Sequence, residues 1–312
     1  MKNIYLHIGC FKTGTSSIQR FLSKNRSEIQ ELGFHYLSTD HNGFAHQDFA
    51  KSFIIEEPYF FEKKNIDKQS VRKVILDEIN ATKYENYIIS SENFMLACPE
   101  QASNYFSVLD NVNIKVILFV REQIELAESV YNQFVKLNKE KRCFNDFMAK
   151  LHEYQWLNFY QVCNRWKALI GRKNIIVQKY DPIEKDSIKA FISALNIDSS
   201  QLTSLSTDTY DFNQSIGYKA LQSLRSIDKS NQSYFTENAP SIISKYANND
   251  LPALMLDMNE YIELQQFYSD SNVKLFEEYL DNETNKYFDK VKYKASERQF
   301  IREQIKMLKS ND

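Results

Sequence analysis

Residues 4 to 22 constrain the fold of this chain more than any other stretch. The run from Ile4 to Ile8 is rich in apolar residues and is typical of a buried strand. A loop with two glycines and a lysine follows, and an amphipathic helix then places Ile18, Phe21 and Leu22 on one face. Because the first N–H groups of a helix have no partner inside it, this strand–loop–helix unit predicts a binding site for a tetrahedral oxyanion.

The loop differs from the nucleotide-binding pattern G-x-x-x-x-G-K-[ST] in the position of its lysine. Gly9 and Gly14 have the spacing of that pattern, but Thr15 follows Gly14, and the lysine comes earlier, at Lys12. Since the missing lysine is the group that reaches the terminal phosphates of ATP or GTP, an intact triphosphate site is not expected. The simpler alternative is an ordinary strand-to-helix turn, in which Gly and Thr are common.

The order of residues in this loop resembles the phosphosulfate-binding loop of the sulfotransferases. The similarity is to the bacterial and carbohydrate-acting branch of that family, and it covers His7-Ile8-Gly9 and Lys12-Thr13-Gly14-Thr15-Ser16-Ser17-Ile18-Gln19. It implies binding of 3′-phosphoadenosine 5′-phosphosulfate (PAPS) as co-substrate, with 3′-phosphoadenosine 5′-phosphate (PAP) as product. The residues implied in binding are Lys12, Thr13, Gly14, Thr15, Ser16 and Ser17. Lys12 is also implied in catalysis, because negative charge grows on the bridging oxygen as the S–O bond breaks.

A second group of residues supports this resemblance. The most apolar run of the chain, residues 113–120, ends at Arg121, and Ser129 follows eight residues later on a predicted helix. In sulfotransferases, an arginine that closes a central strand and a serine on the next helix bind the 3′-phosphate of PAPS. The resemblance therefore implies this role for Arg121 and Ser129. The alternative is a surface salt bridge from Arg121 to Glu122 or Glu125, with an exposed serine.

The acceptor needs a base, and two residues are candidates. Glu92 follows a predicted strand at the edge where ligands bind in open α/β sheets, and carbohydrate sulfotransferases use a glutamate in this role. His46 competes with it, since an imidazole titrates near neutral pH. A structural role remains the alternative for both residues. No metal is expected, because none of the five histidines is paired at ligand spacing with Cys or a carboxylate.

The alternation of strands and helices predicts an α/β fold. We expect a P-loop-like three-layer sandwich, with a central parallel sheet flanked by helices and a helical C-terminal part. Residues 144–172 are expected to be helical, with an aromatic stripe that includes Trp156 and Trp166. The final segment, residues 282–312, is predicted to dock on the body or on a second subunit, so a homodimer stays open. Its apolar residues are Phe288, Val291, Phe300, Ile301, Ile305 and Leu308.

Composition limits the domain organisation, the partners and the location. With only 6 Gly and 5 Pro there is no linker, so we expect a single domain over residues 1–312, with a donor-binding core (1–200) and a mostly helical extension (201–312). The net charge of −2 predicts no nucleic-acid partner. Four cysteines without C-x-x-C spacing predict free thiols. With neither an apolar leader nor a run of transmembrane length, a cytoplasmic protein is expected.

The leading prediction is a PAPS-dependent sulfotransferase that moves a sulfuryl group in line to a hydroxyl acceptor, with a saccharide as the expected class. Two alternatives remain. One is a kinase or NTPase with a degenerate P-loop, although the central strand ends in Arg121 rather than in an acidic residue that could hold magnesium. The other is a non-catalytic member of the fold that only binds PAP or PAPS.

Overall fold

The chain divides into two compact units. The computed structural model describes residues 1–38, 43–56, 58–59, 66–181, 184, 186–198, 215–228, 230–280 and 295–310. The first unit comprises Met1–Arg121, Asn158–Tyr210 and Ser271–Tyr287. The second comprises Glu122–Leu157, Asp211–Asp270 and Phe288–Asp312. The single domain with a boundary near residue 200 stays a prediction.

The regular elements have the following bounds. The strands are β1 Lys2–His7, β2 Phe34–Tyr36, β3 Asn86–Ser90, β4 Val112–Val120 and β5 Ile175–Lys179. The helices before β5 are α1 Thr15–Lys24, α2 Arg26–Glu31, α3 Gln47–Lys51, α4 Lys68–Ala81, α5 Pro99–Phe106, α6 Gln123–Lys136, α7 Phe144–Tyr154 and α8 Phe159–Ile170. Those after β5 are α9 Ser187–Ala194, α10 Tyr218–Ser226, α11 Gln232–Tyr246, α12 Met258–Tyr279 and α13 Ala295–Ser310. Short 3₁₀ helices cover Glu92–Met95 and Arg172–Asn174.

The first unit is built on a five-stranded parallel sheet in the order β2-β3-β1-β4-β5. Parallel neighbours need crossover connections, which place helices on the sheet faces. The chain moves from β1 towards β2 and β3 and then returns to the other side of β1 for β4 and β5. The loop after β1 therefore lies at the topological switch point, where open α/β sheets bind their ligands.

Both faces of this sheet are buried. On one face α1, α2 and α9 form a core with residues such as Tyr5, Ile117 and Phe119. Their neighbours along the strands, including Leu6 and Leu118, point the other way and are also fully buried. The helices α5 and α8 pack against β4. This is the predicted three-layer arrangement, and after β5 the regular elements of the described residues are all helices, so the predicted fold class is confirmed.

One sequence expectation needs correction. Residues 144–172, expected to be helical throughout, form the separate helices α7 and α8. The first is followed by its C-cap residue Gln155, whose φ of 53° is left-handed. The second is preceded by its N-cap residue Asn158, whose side chain accepts a hydrogen bond from the Gln161 N–H. A left-handed residue followed by a capped start breaks the helix. The aromatic stripe nevertheless belongs to the core, because Trp156 and Trp166 are buried.

The second unit is helical in its described residues. Around α6, the Tyr131 ring packs on Phe144 and Phe147 with centroid distances of 5.3 and 5.2 Å. The Asn132 side chain bonds both the N–H and the carbonyl of Ile216, at 3.1 and 2.8 Å. Ring packing and the hydrogen bonds of a buried amide therefore hold α6 to its neighbours in the second unit. Residues 282–294, the start of the predicted amphipathic segment, lie outside the described residues.

Three further properties bear on function. All four cysteines lie in the described residues and are free thiols, as predicted. Across the described part of the chain, no helix combines the length and the apolar character needed to cross a membrane. No group of three or more His, Cys, Asp or Glu residues within the described ranges could hold a metal ion.

Candidate active site

The candidate site begins where β1 runs into its loop. The ladder with β4 continues past the end of β1, because Ile8 N–H donates to Ile117 O at 3.0 Å and Cys10 N–H donates to Phe119 O at 3.1 Å. The loop backbone is therefore held to the central strand up to Cys10. The residues that follow are held by their own side chains instead.

Two threonines close the loop onto Cys10. The hydroxyls of Thr13 and Thr15 donate to the Cys10 carbonyl at 2.6 and 3.0 Å, and both side chains are buried. At the helix start, the N–H groups of Ser17 and Ile18 donate to the Gly14 carbonyl. The N–H groups that precede Ser17 have no acceptor within the helix, so they are the donors that the predicted oxyanion site would use. Thr13 and Thr15 shape the loop, and its backbone offers the donors.

Gly14 fits a space that no other residue could occupy. Its φ is +80°, and a Cβ added there would lie 2.2 Å from Ser187 Oγ and 2.5 Å from Ser187 Cβ. Ser187 is the first residue of α9, and its hydroxyl donates to the Gly14 carbonyl at 3.5 Å. The contact with α9 thus fixes the turn that leads into α1, and Ser16 and Ser17 follow it as half-buried residues of the first helical turn.

The structure brings Arg121 to the loop. Arg121 Nη1 donates to the Lys12 carbonyl at 3.1 Å, and the guanidinium lies over the Tyr180 ring, 5.5 Å from its centroid. Lys12 is half-buried and has a left-handed backbone with φ 57°. Two cationic residues therefore meet at one short stretch of backbone, since Lys12 is part of it and Arg121 bonds to it. Their positive charge favours binding of an anion there. Ser129 is half-buried on α6 in the second unit, and its part in the site stays a prediction.

Glu92 lies directly against the loop. It begins the short helix after β3, and a Cβ added to Gly9 would be 3.0 Å from Glu92 Cβ and 3.1 Å from its Cα. The positive φ of Gly9, 99°, and the missing side chain allow this approach. Glu92 is half-buried, and the amide groups of Gln19 and Gln47 donate to its two oxygens. The predicted carboxylate base and the predicted anion loop are therefore neighbours.

His46 lies in a different environment. It is fully buried, its Nδ1 accepts from Ser90 N–H at 3.1 Å, and its Nε2 bonds the Leu37 carbonyl at 3.2 Å. Since the Ser90 N–H can only donate, Nδ1 carries no proton and Nε2–H is the donor. Burial lowers the pKa of His46 to about 4. Both ring nitrogens are used, and the surroundings suit a neutral histidine that ties the start of α3 to the sheet.

His7 and Cys10, both next to the loop, are also inside the protein. His7 Nδ1 bonds Ser90 Oγ at 2.8 Å, and burial lowers the pKa of this imidazole to about 3. Burial raises the pKa of the Cys10 thiol. Neither group is placed to exchange protons with solvent near neutral pH, whereas Glu92, beside the loop, is half-buried.

Four residues of this site were not assigned by the sequence. Gln19 ends the motif of the loop, and Gln47 follows His46 directly. A polar residue at each of these positions was a signal that the sequence offered. Tyr180 was visible as the residue after β5. Ser187 had no such signal in the sequence, because its contact with Gly14 joins residues 173 positions apart.

Solved structures similar to this chain include three sulfotransferases. One is from Alicyclobacillus acidocaldarius, with 15% identity, a TM-score of 0.45 and coverage of 80% of this chain and 98% of that one. The mouse sulfotransferase SULT7A1 complexed with PAP has 15% identity and a TM-score of 0.35, with 90% and 85% coverage. A sulfotransferase domain from the curacin biosynthetic pathway has 16% identity and a TM-score of 0.32, with 86% and 97% coverage. No protein-family model and no curated protein matches the chain. Likeness at this level says nothing by itself about activity, so the residues of the site must support the functional conclusion.

Proposed function

We propose that this protein is a PAPS-dependent sulfotransferase that transfers a sulfuryl group to a hydroxyl acceptor. One observation carries the proposal: Glu92 packs against Gly9 in a loop whose lysine precedes the second glycine. A base next to a bound phosphosulfate is what transfer to a hydroxyl needs. A triphosphate site would need a lysine after Gly14, where Thr15 stands.

The loop residues support the donor half of the reaction. Backbone N–H groups at the start of α1 hold the 5′-phosphosulfate of the substrate, and Lys12 stabilises the oxygen that bridges phosphorus and sulfur. Arg121 and Ser129 take the 3′-phosphate, the group that distinguishes PAPS from other adenosine donors. Lys12 contributes most when the S–O bond is nearly broken, because the electron pair of that bond moves onto the bridging oxygen.

Glu92 supports the acceptor half. The acceptor oxygen forms the new O–S bond while its proton moves to the Glu92 carboxylate, and PAP leaves with the electrons of the broken bond. We further propose a saccharide as the acceptor. An aliphatic hydroxyl holds its proton more tightly than a phenol, so it gains more from a carboxylate base. On this basis Glu92 is the base, and His46, with both nitrogens bonded, supports the fold around it.

The remaining expectations stay proposals. The free thiols of all four cysteines suit a reducing compartment, so we place the reaction in the cytoplasm. A homodimer is the proposed assembly, and sedimentation of the purified chain tests it. PAPS is a substrate in this scheme, and the proposed chemistry uses no metal, since the leaving phosphate is stabilised by Lys12 and backbone donors.

The deciding experiment is calorimetric titration with PAP, and with ATP in the presence and absence of magnesium. PAP is expected to bind more tightly than ATP, and [³⁵S]PAPS is expected to label saccharides in preference to phenols. Lys12→Ala should lower kcat about 10²- to 10³-fold, the range for removal of a preorganised charge stabiliser. Lys24→Ala, at the exposed other end of α1, is the matched control and should keep full activity.

Two outcomes would count against the proposal. Tighter binding of ATP, with magnesium-dependent hydrolysis, would favour a degenerate NTPase. Binding of PAP with identical labelling by the parent and by Lys12→Ala would favour a non-catalytic binding protein.

A further inference from the structure

The carboxylate of Glu92 is held by two glutamines, one on each oxygen. Gln19 Nε2 donates to Glu92 Oε2 at 3.2 Å, and Gln47 Nε2 donates to Glu92 Oε1 at 3.0 Å. These residues come from different elements, since Gln19 lies on α1 and Gln47 begins α3. The carboxylate group is therefore fixed in rotation by partners on two helices as well as by its contact with Gly9.

Hydrogen bonds fix the orientation of the Gln47 amide. Its Oε1 accepts from Ser91 Oγ–H at 2.9 Å and from Asn93 Nδ2–H. Because a carboxylate only accepts, the NH₂ group of Gln47 must face Glu92, and the amide oxygen then accepts from Ser91 and Asn93. The N–H of Asn93 in turn donates to Ser91 Oγ at 3.2 Å, which holds the serine in place.

Gln19 connects the carboxylate to the anion loop. Its side chain is 1% exposed, and its Nε2 also reaches the Ser90 carbonyl, at 3.4 Å. Both neighbours of this nitrogen are oxygen acceptors, so the amide orientation is again determined. Gln19 lies one helical turn after Thr15, at the end of α1 that forms the anion site. The positions of the loop and of Glu92 are thus linked through one helix.

We propose that Gln19 and Gln47 are positioning residues that aim Glu92 at the acceptor hydroxyl, an inference that rests on the proposed sulfuryl transfer. Each carboxylate oxygen keeps a lone pair beyond the one that its glutamine uses, and those lone pairs receive the acceptor proton. Without the glutamines, the side chain loses its fixed orientation and spends less time in the reactive geometry. In this role the effect of the glutamines passes through Glu92.

The test compares Gln47→Met, Gln19→Met and Glu92→Gln with the parent, with Gln101→Met as control. Methionine keeps the length of glutamine without the donor, and Gln101 is an exposed glutamine of the same unit. Expected is a fall in kcat for transfer from [³⁵S]PAPS to methyl glycosides of about 10-fold or more, with PAP affinity by calorimetry changed less than about 2-fold. The double variant Gln47→Met/Glu92→Gln should be no slower than Glu92→Gln alone, since both changes remove one function.

The outcomes separate this inference from the proposed function. Failure of the parent chain to bind PAP would overturn the proposed sulfotransferase. A parent that binds PAP, combined with losses in the double variant that multiply, would overturn the positioning role alone. That role is also overturned if Gln47→Met weakens PAP binding as much as it lowers kcat, or if the parent binds PAP but transfers to no methyl glycoside.

Discussion

Gly14 is the residue on which the shape of the loop depends most directly. Gly14→Ala combines a φ of +80° with a Cβ only 2.2 Å from Ser187 Oγ. Left-handed strain costs about 1–2 kcal/mol and the overlap adds to it, so PAP affinity should fall by about 10- to 100-fold. Calorimetric titration of the purified variant with PAP measures the loss.

Two variants separate strain from overlap. Gly33→Ala has the same type of backbone, with φ +84°, but a Cβ there meets nothing within 4 Å, so it should lower stability without changing PAP affinity. Adding Ser187→Gly to Gly14→Ala removes the overlapping atoms and should restore part of the affinity. Equal PAP affinity in Gly14→Ala and the parent would show that the turn does not shape the site.

The buried histidines predict a dependence of stability on pH. The pKa of His46 falls from 6.5 to about 4 on folding, because burial disfavours the charged ring. The folded state therefore binds fewer protons than the unfolded state, and the stability present above pH 6.5 is lost as the pH falls towards 4. The loss amounts to about 1.4 kcal/mol per pH unit for each such group, and His7 adds to it in the same direction.

Urea unfolding at several pH values checks this prediction, with His46→Asn as the matched variant. Asparagine can still accept a hydrogen bond from the Ser90 N–H but does not titrate. The free energy of unfolding of this variant should be lower than that of the parent at neutral pH. It should fall less steeply on acidification, because unfolding takes up about one proton fewer. An identical slope in parent and variant would mean that His46 does not contribute.

At the scale of elements, α13 is held within the second unit by a buried ion pair. Arg298 Nη1 and Nη2 donate to the two oxygens of Glu128 at 2.9 and 2.8 Å, and the Met255 N–H donates to Glu128 Oε1 at 2.8 Å. Arg298 is 1% exposed, and its guanidinium lies 4.3 Å from the centroid of the Tyr261 ring. The pair joins α6 to α13 with the geometry of a bidentate fork.

Arg298→Met should therefore strongly destabilise the second unit. It leaves a buried carboxylate without its counter-charge, at a cost of about 3–5 kcal/mol in the free energy of unfolding. Glu128→Met/Arg298→Met should cost less than Arg298→Met alone, because no charge is left behind. Chemical denaturation followed by circular dichroism measures both.

The exposed pair of Lys73 and Asp77 provides the comparison. Their side chains are 73% and 60% exposed, so Lys73→Ala should change stability by no more than about 1 kcal/mol. If Arg298→Met proves as mild as Lys73→Ala, the ion pair does not anchor the helix.

The C-terminal helix also shows where apolar patterning misleads. Ile305 is fully buried, as its place in the predicted apolar side requires, but Phe300 is 62% exposed and Arg298 is the buried neighbour. A long arginine buries well when a carboxylate meets it, and that partner lies 170 residues away. The sequence of the helix alone contains no sign of Glu128.

At the scale of the whole molecule, the proposed donor site predicts a preference for PAP over adenosine 5′-phosphate, which lacks the 3′-phosphate. Arg121→Ala should lower PAP affinity about 10- to 100-fold, which is the effect of losing a charge-assisted hydrogen bond. Ser129→Ala should lower PAP affinity about 3- to 10-fold. Binding of adenosine 5′-phosphate should change less in both variants. Parallel calorimetric titrations with the two nucleotides measure the preference.

Lys12→Ala supplies the contrast in these titrations. It should weaken the binding of both nucleotides to a similar degree, since both carry the 5′-phosphate. An equal loss for both nucleotides in Ser129→Ala would exclude this serine from the 3′-phosphate site.

The sequence by itself determined the parallel sheet and predicted an anion loop after β1. Short apolar runs that alternate with amphipathic helices can bury their surfaces in few ways, so β1, β3, β4 and β5 could be placed from local pattern. The order of Gly9, Lys12 and Gly14 predicts the type of loop, because glycine and lysine have backbone and charge requirements that act within a few residues.

Only the tertiary structure decided what surrounds that loop. The approach of Ser187 to Gly14, the Gln19 and Gln47 amides on Glu92, and the burial of His46 join residues far apart along the chain. Such contacts depend on the packing of whole elements, for which local periodicity gives no signal. Glu92 was the first candidate base in the sequence and His46 its competitor, and their different burial and hydrogen bonds are visible only in the folded protein.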